Sequence, residues 1–118
     1  MSTEVIQDTH VIVHATGEID LHNVAEFRKA LDEAMERAPE GFIIDLTDTM
    51  YIDSAGLQAI IAVYLKINSA KGHLALVVGN VRIRSVLEVV HLETLPRMHV
   101  HNDLDAAKQA FLAGKQID

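Results

Sequence analysis

The residue with the clearest chemical opportunity is Ser54. In Tyr51-Ile52-Asp53-Ser54-Ala55-Gly56-Leu57 its hydroxyl follows an acidic residue and precedes an apolar run, so it falls where a loop turns into a helix. A serine or aspartate at such a turn, as N-cap or first residue, satisfies orphan backbone N–H groups. The same place suits a phosphate, because free N–H groups and the positive helix end favour negative charge. Phosphorylation there would add about −1.5 to −2 charges. Hydrolase chemistry fits less well: a serine nucleophile is usually presented in a Gly-x-Ser-x-Gly elbow. Ser54 lies in Asp-Ser-Ala-Gly, with His14, His22 and His91 as the histidines a hydrolase would need to recruit as base. The chain also lacks the Gly-x-x-x-x-Gly-Lys-Ser/Thr phosphate loop of a nucleotidase.

Other groups are weaker candidates. His99 and His101 lie two apart and would share a strand face, giving two of the three or four ligands of a zinc site. The remaining histidines, His10, His14, His22, His73 and His91, are scattered, as surface or half-buried histidines are. Asp20, Asp45, Asp48 and Asp53 form an acidic group. If Asp20 and Asp53 converge, they would hold a divalent ion weakly, although loop acids mostly serve as solvated caps. No metal site is expected.

With 10 Lys and Arg against 17 Asp and Glu, the 118-residue chain carries a formal −7 and repels nucleic acid and anionic lipid. Arg82 and Arg84 alone make no nucleic-acid patch. The length suits one core, and 49% hydrophobic with 23% charged residues is globular usage rather than disorder. Without cysteines there are no disulfides, thiolate nucleophiles or iron–sulfur clusters. No signal or lipidation motif and no 20-residue apolar span appear, so a cytoplasmic location and no membrane insertion are expected.

The elements that must position Ser54 are legible in the hydrophobic spacing. Residues 10–16 alternate as a strand, Gly17 then opens a loop over residues 17–20, and Asn23 caps a helix reaching to about Ala38. Phe42-Ile43-Ile44-Asp45-Leu46 reads as an inner strand and the polar residues 47–49 as a loop. The second helix follows Ser54 and ends at Gly72. Residues 74–78 form a strand, Asn80 caps a helix, residues 98–100 are extended, and Asn102 caps the last helix. A further edge strand is expected at residues 4–7. The alternation predicts an α/β fold: a largely parallel sheet of four to five strands with about four helices, one domain over residues 1–118 with a core from about 4 to 113.

The second helix is too apolar for one sheet. Leu57, Ile60, Ile61, Val63, Tyr64, Leu65 and Ile67 span roughly 200° of its circumference. Gln58, Ala59, Ala62 and Lys66 make up the rest, and the two alanines would allow a close backbone approach. Either the helix is buried between the sheet and its neighbouring helices, or it offers a docking face beside Ser54.

Gly17-Glu18-Ile19-Asp20, Ile44-Asp45-Leu46-Thr47 and the segment from Tyr51 to Leu57 together resemble the STAS domain, above all the stand-alone bacterial anti-sigma factor antagonists, across nearly the whole chain. That resemblance implies a non-catalytic protein whose Ser54 is phosphorylated by an anti-sigma factor serine kinase. The unphosphorylated form would bind that kinase and free the sigma factor; phosphorylation would break the contact and a metal-dependent serine phosphatase would restore it. ATP and the divalent metal would belong to those partners, leaving this chain without a cofactor. Asp20, Asp53 and Gly56 would surround the phosphosite, and Leu57, Gln58, Ala59, Ile61, Ala62 and Lys66 would meet the partner. Ala55 stands where the family often has a second hydroxyl, Gln58 where a small residue is usual, and His91 where glycine is frequent. The alternative is a non-catalytic STAS subunit of a lipid-transport ABC system, a secretion regulator or a sensory complex.

Overall fold

The structure is a computed structural model that describes residues 1–6, 9–37 and 39–112, the last without its side chain. The elements run β1 (Ser2–Ile6), β2 (His10–Ile19), α1 (Val24–Met35), β3 (Gly41–Ile52), α2 (Ser54–Ser69), β4 (His73–Val77), α3 (Val81–Val89), a 3-10 turn (Leu92–Thr94), β5 (Met98–His101) and α4 (Leu104–Leu112). They form one five-stranded sheet in the order β1-β2-β3-β4-β5. β1 pairs antiparallel with β2, and every other pairing is parallel. The expected α/β fold is therefore a mixed sheet of five strands with four helices. Gln7, Ala38 and residue 113, named in the expected element and core boundaries, lie outside the described residues.

Two expected loops are strand. β2 continues through Gly17 to Ile19, and β3 continues through residues 47–52. The pairing explains why alternation hides this. Between His14↔Asp45 and Thr16↔Asp48, and again between Gly17↔Thr49 and Glu18↔Tyr51, β3 carries one more residue than β2. Each extra residue reverses the phase of a period-2 pattern and bends the strand. Gly17 absorbs the bend on β2 with φ +76, a conformation open to glycine at little cost. Thr49 is fully buried there, and its hydroxyl donates to Ala15 O at 3.0 Å.

The main core lies between the sheet and helices α1, α2 and α3, around Phe27, Leu31, Phe42, Ile44, Ile60 and Leu76. A smaller core on the other sheet face joins Ile12, Ile43, Ala75 and Val77 to Ala107 and Phe111 of α4. The contiguous apolar residues of β3 and β4 follow from this two-sided burial.

The helix ends differ from expectation in three places. Asn23 precedes α1 but makes no side-chain cap; its Oδ1 accepts from Asp20 N and its Nδ2 donates to Glu18 O. α4 is capped by Asp103, whose Oδ1 accepts from Ala106 N, while Asn102 accepts from Arg84. α2 closes in a Schellman motif with Lys71, at φ 64, in the left-handed position. There Lys71 N donates to Asn68 O at 3.0 Å and Gly72 N to Ile67 O at 2.9 Å. Gly72 follows, where a Cβ would make a tight approach of 3.2 Å to Glu40 O. His91 is likewise left-handed, with φ 59 and ψ 31. That conformation is why a glycine suits the position.

Candidate functional site

Ser54 is exposed and is the first residue of α2; the N-cap is Asp53. Asp53 spends both carboxylate oxygens. Oδ1 accepts from Ala55 N at 2.9 Å and Gly56 N at 3.2 Å, and Oδ2 accepts from Leu21 N at 3.2 Å. Its own N–H donates to Ile19 O at 3.1 Å, and its carbonyl accepts from Leu57 N. One residue thus joins the end of β2, the loop before α1 and the first turn of α2. The free N–H groups expected around Ser54 are consequently occupied. The Ala55, Gly56 and Leu57 donors are already satisfied by Asp53, so a phosphate on Ser54 would meet a carboxylate beside it rather than an empty anion cradle.

The loop across from Ser54 is equally well tied. Asp20 Oδ1 accepts from His22 N at 2.9 Å in an Asx turn, and Asp20 O accepts from Asn23 N and Val24 N. The structure therefore brings the Asp20 loop against Asp53, as the sequence spacing alone does not require. Gly56 permits that closeness. A Cβ there would lie 2.6 Å from Ile52 Cγ1 and 2.9 Å from Ile19 Cγ2, so only glycine lets the first turn rest on the two strand ends.

The four acids do not gather. Asp45 is buried elsewhere, with Oδ2 2.7 Å from His14 Nδ1, and its Oδ1 accepts from Thr47 N at 3.0 Å and from the Thr47 hydroxyl. Burial pushes the Asp45 carboxyl up, but these hydrogen bonds, from Thr47 first and then His14, outweigh it and leave the group below the usual carboxylate range. His14 is held by Asp45 and Glu4, so it is not a base for Ser54. His99 does not join His101 at a common ion: its Nε2 lies 2.9 Å from His73 Nδ1. Among the described residues, no group of three or more histidines and acids is arranged to hold a metal.

On α2 the expected docking residues divide. Gln58, Ala62 and Lys66 are exposed and Ile61 is half-buried, whereas Leu57 and Ala59 are turned into the core, Ala59 at 2% exposure. Leu57 and Ala59 are thus corrected from surface to core. The apolar excess of the helix is carried outward by Leu65, which is 59% exposed. Lys66 reaches Asp32 of α1 at 3.7 Å, a largely exposed pair.

The sequence reading missed a rim of apolar side chains at this end of the sheet. Leu21 and Val81 are each 75% exposed, and Met50 and Tyr51 are exposed at the end of β3. Asn80 secures the start of α3 nearby, with Oδ1 accepting from Ile83 N and Nδ2 donating to Thr49 O. A shallow pocket of about 320 Å³ is lined by Met50, Asn80, Val81 and Arg82. The one signal available was Met50-Tyr51 beside the polar residues 47–49, which reads as buried until the bulges are known.

The STAS domain family model matches residues 1–107 of the chain. An anti-sigma F factor antagonist of Paenibacillus polymyxa is 31% identical over 80 residues, 67% of this chain and 68% of that protein. The crystal structure of an anti-sigma factor antagonist from Mycobacterium paratuberculosis superposes with a TM-score of 0.78 at 25% identity, covering 92% of this chain and 93% of that one. The phosphorylated form of the Bacillus cell fate determinant SpoIIAA shares the fold, with a TM-score of 0.70 at 19% identity over 92% of this chain and 96% of that one. Among the described residues no helix is long and apolar enough to cross a membrane.

Proposed function

The chain belongs to the STAS domain family, and we propose that within it the protein works as an anti-sigma factor antagonist, a binding module without catalysis of its own. Unphosphorylated, it binds an anti-sigma factor serine kinase and releases the sigma factor. Phosphorylation of Ser54 abolishes that binding, and a serine phosphatase reverses it. The observation that carries the reading is the placement of Ser54: an exposed hydroxyl on the first turn of α2, next to a carboxylate that has used the nearby N–H donors. A phosphate there gains little from the protein. It adds about −1.5 to −2 charges beside Asp53, in the middle of a partner surface that a bound kinase would dehydrate. The exposed faces of Gln58, Ala62, Leu65 and Lys66, with the rim of Leu21, Tyr51 and Val81, supply that surface.

The test uses the cognate kinase with magnesium and ATP, phosphosite mapping by mass spectrometry, and binding by calorimetry. Phosphate is expected on Ser54 alone; Ser54→Ala should bind like the wild type and take up none. Ser54→Asp should bind at least tenfold more weakly, about 1.4 kcal/mol. Modification at another residue, or undiminished binding of the phosphorylated chain, would overturn the reading.

A further inference from the structure

The face opposite the three main helices carries a histidine cluster that the Ser54 site does not use. Phe111 of α4 projects among three imidazoles at the N-terminal ends of the strands. Its ring centroid lies 5.7 Å from His10 of β2, 6.4 Å from His73 of β4 and 5.7 Å from His99 of β5. Gly41 makes the room: a Cβ there would lie 2.3 Å from His10 Cδ2 and 2.7 Å from Phe111 Cδ2. His73 Nδ1 and His99 Nε2 are 2.9 Å apart, a contact that needs a lone pair on one of the two nitrogens. Further along β5, His101 keeps its Nε2 buried and without a hydrogen-bond partner among the described residues.

We propose that α4 is a proton-released strap: docked while these imidazoles are neutral, and detached from the sheet as they charge, with the α1, α2 and α3 side of the molecule staying folded. A single proton can be shared between His73 and His99, but a second sets two N–H groups against each other. The cost is relieved when α4 leaves and water reaches the rings. Burial lowers the proton affinity of His10 and of His101, with Glu40 opposing it at His10 and Asp103 opposing it at His101. For both, the detached state binds protons more readily, so docking weakens as pH falls below about 6.5. A polar contact also reaches α4: Lys108 lies 4.0 Å from Glu4 of β1, whose other oxygen lies 3.3 Å from His14 Nε2. Among the described residues, Ala107, Phe111 and the half-buried Leu104 make the apolar contacts of α4 with the sheet.

Amide exchange of the full chain, expressed as protection factors corrected for the pH dependence of intrinsic exchange, tests this. Between pH 7.5 and 5.0 the protection of α4 should fall at least tenfold more than that of α2, and in His73→Gln/His99→Gln, which keeps His10 and His101, the difference should shrink at least threefold. Parallel loss in α4 and α2, or an undiminished difference in the double variant, overturns the proposal. Should that variant not fold, imidazole resonances of the wild type serve instead. Their titration midpoints should fall within half a pH unit of the midpoint for α4 release, and midpoints further apart than that overturn it.

Discussion

At the scale of single residues, Asp53 is the organiser of the site and Ser54 its exposed variable. A cap that accepts two N–H bonds from α2 and a third from Leu21 does more than a helix needs, because it holds two loops in register. Asp53→Ala should lower unfolding stability by about 1–2 kcal/mol in urea, the range for loss of an N-cap. It should also increase amide exchange at Leu21, whose acceptor is gone; Asp53→Asn, with a single acceptor oxygen, should keep most of the cap and lose the Leu21 protection. An unchanged Leu21 exchange rate would show that the carboxylate serves α2 only. The left-handed Lys71 and His91 show the reverse pattern, with backbone conformations that suit glycine filled by larger residues.

Among the elements, α2 was the hardest to place from its sequence, since its apolar arc is broad enough to accept several orientations. The fold selects the one that buries Ala59, Val63, Ile67, Ile60 and Tyr64, with the Tyr64 hydroxyl donating to Pro96 O at 2.7 Å. Ala59 and Ala62 thus have opposite environments, one buried and one exposed. Ala59→Leu should cost about 1–3 kcal/mol by overpacking, and Ala62→Leu should stay within about 0.5 kcal/mol, as surface changes do. Equal effects in a pair of chemical denaturation curves would mean that the helix is rotated from the orientation described. β3 carries a parallel lesson: its two extra residues relative to β2 turn Asp48, Met50 and Tyr51 outward while Thr49 and Ile52 stay buried.

The molecule as a whole should respond to acid in two stages. His10 and His101, with proton affinities lowered by burial, contribute stability that is present above about pH 6.5 and is lost as the pH falls. Asp45, its affinity lowered by Thr47 and His14, contributes stability present above about pH 4 and lost as the pH falls through its depressed value. Urea midpoints measured from pH 8 to pH 2.5 should therefore decline in two steps. His10→Gln should flatten the first step, and Asp45→Asn the second. A single decline that neither variant alters would remove both assignments.

Amphipathic spacing and turn residues were sufficient to identify α1, the inner part of β3, β4 and the order of elements, because a face buried against one neighbour imprints its period on the chain. The Asp53-Ser54 turn was legible for the same reason, a helix start being a local event. What only the tertiary structure decided was where period and burial part company. The extra residues in β3 shift the phase of its pattern, the wide arc of α2 leaves its rotation open, and Leu21 N closes onto the second carboxylate oxygen of Asp53. Each depends on which strand lies alongside or which loop closes over the helix, and such contacts between distant residues leave no period in the sequence.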